Sequence, residues 1–172
     1  MRGSIALLAA LTIAAPAQAQ RFAILPGSEA TLASVDGDFA PVASAAAEPD
    51  AFETWAANAF ARGAMPDATG PNAAAVPKGP PAPTPPANRL MFRLLVLPGE
   101  KPSTLLIVRN GFDRALVYRA EMRVKGKQSP TDVCLVMPGK TGIEHWPYAI
   151  DQLVLDDLKL VPWKPGDPVR CA

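Results

Sequence analysis

Site chemistry needs nucleophiles, titratable groups or metal ligands at workable spacing, and this chain offers few of them. Its one histidine is His145, in the run Ile143-Glu144-His145-Trp146-Pro147-Tyr148, and its two cysteines are Cys134 and Cys171. A Ser-His-Asp or Cys-His device would have to use His145, yet no Gly-x-Ser-x-Gly elbow accompanies it, and a cysteine held in a disulfide is no nucleophile. Structural zinc requires four ligands, commonly Cys or His pairs at short spacing, and that pattern is absent. The nearest metal constellation is Cys134, Met137, His145 and Cys171, soft enough for Cu(I) only if the thiols stay reduced. A chain with two cysteines in an oxidising compartment most simply forms one disulfide, so we expect Cys134 bonded to Cys171, with no metal and no cofactor. Closing a loop of about 36 residues is worth on the order of 3 to 4 kcal/mol by the chain-entropy model.

Glu144, His145, Trp146 and Tyr148 place a carboxylate, an imidazole and two large aromatics around Pro147, in what reads as a connection between strands. Trp and Tyr give large contact area at small entropic cost, so these four are the leading candidate binding residues. The structural alternative is that Trp146 and Tyr148 plug one end of the domain. Asp113 and Arg114, just after the Asn110-Gly111 turn signal, are a second candidate pair, because polar loop residues at a domain's end favour recognition. The acids Asp156 and Asp157 lack the six or more oxygen ligands that calcium takes, and read as a solvated turn. Paired carboxylates for glycoside cleavage would usually bring more aromatic platforms than the 6% aromatic content supplies.

The elements that must position these groups are organised around residues 114–125. Leu116, Tyr118, Ala120, Met122 and Val124 alternate there with Arg119, Glu121, Arg123 and Lys125. A period of two over so many residues gives a helix no coherent apolar face and marks a half-buried antiparallel strand whose charged side is solvated. Further strands are expected at 89–97, 104–109, 131–137 and 150–161, with turns at Pro98-Gly99, Asn110-Gly111, Gly126 and Pro138-Gly139. In the last strand Leu153 and Leu155 are out of phase with Leu158 and Leu160, so a bulge or turn at Asp156-Asp157 is needed to return all four to the core.

Before these strands, residues 21–25 suggest an edge strand, and residues 28–48 read as irregular, with a turn signal at Asp36-Gly37 and one short strand near Phe39. Asp50 and Glu53 can form a reciprocal capping box for an amphipathic helix over 51–62, with Glu53, Asn58 and Arg62 on the polar face and Phe52, Trp55 and Phe60 docked on the protein's own sheet. The alternative is a helix that docks into a partner's groove. Residues 64–88 carry eight prolines and almost no large apolar side chain, which predicts a stiff polyproline II linker.

At the start, Arg2, the apolar run 5–15 and Ala17-Gln18-Ala19 predict a secretory signal peptide over residues 1–19. The run is too short to span a bilayer, and no second long apolar stretch follows, so a soluble periplasmic or secreted chain is expected. A net charge of +1 gives no field that would attract nucleic acid.

The expected organisation is therefore mainly β: a signal peptide (1–19), an N-terminal segment with a strand and helix (20–63), a Pro-rich linker (64–88) and a small antiparallel β-sandwich (89–172). In general strand pattern the last part resembles immunoglobulin-like and other small extracellular sandwiches, without the Cys, Trp, Cys spacing of antibody domains. That resemblance implies no function. The expected role is a non-catalytic module that binds an envelope protein or surface ligand. The alternative is a small copper-handling or hydrolytic protein using His145.

Overall fold

A computed structural model of the chain describes residues 21–62, 79–97 and 102–171. The expected leader lies outside these residues, as do positions 64–78 of the expected linker and the turn at Pro98-Gly99.

Two antiparallel sheets and one short helix form the fold. The strands are β1 (Phe22–Ile24), β2 (Ser28–Val35), β3 (Asp38–Ala46), β4 (Arg89–Leu97), β5 (Ser103–Asn110), β6 (Ala115–Val124), β7 (Lys127–Thr131), β8 (Thr141–Trp146) and β9 (Gln152–Val161), with α1 (Ala51–Ala61) between β3 and β4. One sheet has the order β1-β9-β6-β7 and the other β3-β2-β4-β5-β8. They pack face to face. Leu90, Phe92, Leu94, Leu106 and Val108 from the five-stranded sheet meet Leu116, Tyr118, Ala120, Leu153 and Leu155 from the four-stranded one, all buried. Phe92 and Tyr118 make an edge-to-face contact across the interface, with ring centroids 5.9 Å apart. Each large apolar side chain sealed here contributes roughly 1.5 to 3 kcal/mol.

The alternation in residues 114–125 becomes β6, paired with β9 on one side and β7 on the other. Its Arg119 side chain is 73% exposed, as a solvated face requires. Opposite Tyr118, β9 carries an extra residue, where Asp157 takes a left-handed φ of 51°. That bulge returns Leu158 and Leu160 to the core.

Several expectations are corrected. Residues 28–46 form a β2–β3 hairpin, closed by Asp36 and Gly37 at φ 52° and 90°, where small residues alone suggested irregular chain. Two successive positive φ values make the turn whose twist matches its flanking strands. β1 pairs with β9 and β2 with β4, so the N-terminal strands belong to the same two sheets as the C-terminal ones. The strand expected at 131–137 is instead β7 at 127–131, followed by isolated bridges at Val136 and Cys134. The run 141–146, taken as part of a connection, is β8.

Asn110-Gly111 does not close a hairpin: β5 and β6 lie in different sheets, and the pair forms the corner between them. The buried Asn110 amide donates to the carbonyls of Arg114, Val136 and Met137 at 2.8, 3.1 and 3.2 Å, while its Oδ1 accepts from Phe112 N at 3.1 Å. Gly111 is required by close approach, because a Cβ there would stand 1.8 Å from the Pro86 carbonyl oxygen. Residues 79–88 of the expected linker are thereby placed against the fold, with Asn88 N donating to Gly111 O at 2.9 Å.

The outer face of the five-stranded sheet is covered by α1. Phe52 and Ala56 bury against Leu95, Leu97, Leu105 and Ile107, with Trp55 and Phe60 alongside. The capping box is formed: Asp50 Oδ1 accepts from Glu53 N at 2.8 Å, and Glu53 Oε2 accepts from Asp50 N at 3.0 Å. Glu53, expected on the polar face, is 2% exposed, because Arg93 and Arg109 project from the same sheet face beneath it. Glu53 lies 2.9 Å from Arg109 Nη2 and 3.5 Å from Arg93 Nε, and Asp50 also bonds Arg109. Arg93 further donates to the Gly27 and Ala47 carbonyls, so one ion network ties the helix to the open end of the β2–β3 hairpin, where β2 begins and β3 ends. Burial pushes the Glu53 carboxyl up from its ordinary value, with the Asp50 amide and the two guanidinia pulling the other way.

Candidate functional site

The alternation of β8 sorts the expected binding residues onto different surfaces. Glu144 and Trp146 pair across from Leu106 and Thr104, and His145 from Leu105, so His145 lies on the helix side of the sheet. Trp146 is 6% exposed in the inter-sheet core, and its indole N–H donates to Thr131 Oγ1 at 2.6 Å. Glu144 accepts from the Cys134 amide at 2.6 Å. Its carboxylate adds to burial in pushing the Tyr118 hydroxyl well above its ordinary value, burial being the larger cause. His145 stacks on Phe60 of α1 at 4.6 Å between centroids and 26° between planes. Burial there holds the imidazole below its usual value, so it is neutral at pH 7. Tyr148, beyond the strand, is 37% exposed and donates to Met122 Sδ at 3.3 Å. It borders a shallow cavity of about 380 Å³ with Met122, Val124 and Lys127. Asp113 and Arg114 are exposed in the β5–β6 corner and line neither cavity.

Glu144 and His145 open instead onto a larger groove of about 910 Å³. Its floor is the outer side of β8 with Ile143 and His145. One wall is Phe52, Trp55 and Phe60 of α1 together with Gly79, Pro80 and Ala82, and the other is the run Cys134 to Met137 with Val169. Local sequence explains each wall. The capping box starts α1 so that its aromatics face the sheet, and Gly142 lets Val136 close in, since a Cβ at Gly142 would stand 2.8 Å from a Val136 methyl. The Cys134–Cys171 disulfide, together with a Leu135 N to Arg170 O bond of 2.8 Å, fastens the C-terminal segment behind the second wall. Its other polar lining is slight: Lys140 stands exposed at one end.

From sequence, Cys134 and Met137 stand out only as part of a metal constellation with His145, and Trp55 and Phe60 only as a helix face, with nothing to bring them together around one groove. Nothing local shows that β8 and residues 134–137 leave a channel beside the helix. With Cys134 and Cys171 bonded, the Cu(I) constellation has no thiolate in this state, and among the described residues no group of three or more His, Cys, Asp or Glu side chains could hold a metal ion. No described helix is long and apolar enough to cross a membrane.

Set against known proteins, the chain matches no family model, no curated protein sequence and no solved structure.

Proposed function

We propose that this chain is a non-catalytic binding module of the cell envelope that receives a protein ligand in the groove between α1, β8 and residues 134–137. The observation that carries the reading is the groove itself: a concave, mainly apolar channel with aromatic walls and few polar groups, the usual make-up of a recognition site. The leader read in residues 1–19 and the disulfide both favour an oxidising compartment outside the cytoplasm, periplasmic or secreted. The immunoglobulin-like strand pattern is carried forward only as a scaffold on which such a site is mounted.

A photo-crosslinking phenylalanine analogue at Trp55 tests this in living cells, with the same analogue at Arg119 on the solvated sheet face as control. The expected result is a discrete adduct from position 55 and none from 119. Equal patterns from both positions, or none from 55, overturn the proposal.

A copper-handling role is the second reading, favoured because Cys134, Met137 and His145 line the same groove. It requires a dithiol to reduce the Cys134–Cys171 bond first. Cu(I) titration of the purified chain with and without such a reductant tests it, and binding independent of reductant, or none in either state, removes it.

A further inference from the structure

Among the described residues the two sheets end on four strands, and three of them are poor templates for further pairing. β1 has three residues, β7 carries Lys127 and Pro130, and β3 carries Pro41 beside a register shift against β2. Short length, lysine, proline and bulges are the usual ways an exposed edge is blunted. β8 has none of them: its six residues contain neither Lys nor Pro, and it runs in unbroken register along β5, its one partner strand.

The groove lies along this edge. Thr141, Gly142, Ile143, Glu144 and His145 all line it, although successive side chains of a strand point to opposite faces. A cavity that touches five consecutive strand residues must be reaching the strand from its side, where backbone groups are presented. A six-residue strand is about 20 Å long, a span an extended peptide of similar length matches. Charge adds a direction. Lys140 stands exposed immediately before the strand, while toward its far end the lining is Glu144, whose carboxylate accepts from the Cys134 amide, and His145 on Phe60.

From these relations, and resting on the binding-module reading above, we infer that the free edge of β8 accepts an extended segment of another polypeptide as a sixth, antiparallel strand of the sheet. Backbone hydrogen bonds supply affinity. Alternate apolar side chains of the segment descend onto Trp55, Phe60 and Ile143, and an acidic residue near its C-terminal end lies opposite Lys140, because an antiparallel partner ends where β8 begins.

Random nonapeptides displayed on phage and selected against the purified chain are the probe, followed by synthetic copies of the enriched sequences. The expected peptides alternate apolar residues and carry Asp or Glu toward the C-terminus, and their binding slows hydrogen exchange of the Thr141, Ile143 and His145 amides, whose pairs with β5 are the non-hydrogen-bonded ones. N-methylation of alternate peptide amides in one phase weakens binding by about tenfold or more, and in the other phase leaves it intact. Selection against Lys140→Glu replaces the acidic preference with a basic one. Enriched peptides that leave the β8 amides unprotected, or tolerate N-methylation in both phases, overturn strand addition while the binding-module reading stands. No enriched sequence overturns both. A dimer joined edge to edge through β8, seen by sedimentation and cross-linking, makes a second copy the occupant and overturns the inference.

Discussion

The Glu53 carboxylate on α1 meets the Arg109 guanidinium on β5 at 2.9 Å, with 3% and 8% of the two side chains exposed. Arg93 stands on its other side, equally sealed. Removing one partner of such a group leaves a buried charge uncompensated, which costs about 3 to 5 kcal/mol. Glu53→Gln should therefore lower stability by that order in urea unfolding. The triple change Glu53→Leu, Arg93→Met and Arg109→Met should recover most of the loss, because well-packed apolar groups replace buried ions at little cost. A loss below about 1 kcal/mol for Glu53→Gln would show that water reaches the network.

His145 contributes a pH dependence of definite sign. Its folded-state value lies below the ordinary 6.5 because burial against Phe60 disfavours the imidazolium. Between that lowered value and 6.5 the unfolded chain binds more protons than the folded one, so stability is lost as pH falls through this window. Urea midpoints measured downward from pH 7.5 should decline there, and His145→Gln should flatten the decline. An unchanged slope in His145→Gln would assign the effect to other groups.

At the inter-sheet corner, Gly111→Ala brings a methyl onto the Pro86 carbonyl, backbone against backbone, with no flexible side chain to yield. Asn110→Ala strips three carbonyls of their buried donor and should cost about 3 kcal/mol. Asn110→Asp should be at least as harmful, since a carboxylate oxygen would then face those carbonyls. Thermal unfolding of the three variants checks this, and a stable Asn110→Asp would contradict the assigned amide orientation.

Trp146→Ala should destabilise by about 3 to 5 kcal/mol, the usual cost of emptying a large aromatic site in a core. Thr131→Val, which removes only the acceptor of the indole N–H, should cost about 1 kcal/mol. A Trp146→Ala chain as stable as the parent would mean that this side chain is not packed between the sheets.

The disulfide joins residues 37 apart, for which the chain-entropy model gives about 4 kcal/mol. Intact mass should rise by two hydrogens on reduction, and the Cys134→Ser, Cys171→Ser double variant should unfold at correspondingly lower denaturant. Two thiols alkylated without reductant would rule the bond out.

What the sequence made legible was local. The β6 alternation, the phase break in β9 that demands a bulge, and the Asp50–Glu53 box each lie within a dozen residues of chain. What it hid depends on partners far away. β8 offers little alternation because Gly142 has no side chain and His145 is polar in type, its place on an apolar surface being set by Leu105 of β5 and Phe60 of the helix. β2 and β3 are built largely of Ala, Ser and Thr, and the burial of β2 is decided by β4 rather than by the polarity of its own residues. Arg93 and Arg109 look like interruptions of apolar strands until Glu53 is placed above them. The groove is hidden for the same reason, since its walls come from four separate stretches of chain.

The pairing of β1 with β9 sets an order of events during synthesis. Phe22 stands opposite Leu155 in the ladder, so a chain emerging N-terminus first holds β1 without its partner strand until β9 has followed. β2 waits likewise for β4, while α1 already lies between them in the chain. Such long-range closure places folding in the slow range for small domains, on the order of milliseconds to seconds. Throughout that interval the apolar side of the β2–β3 hairpin is uncovered, which makes this hairpin a point where the incomplete chain is open to misassociation.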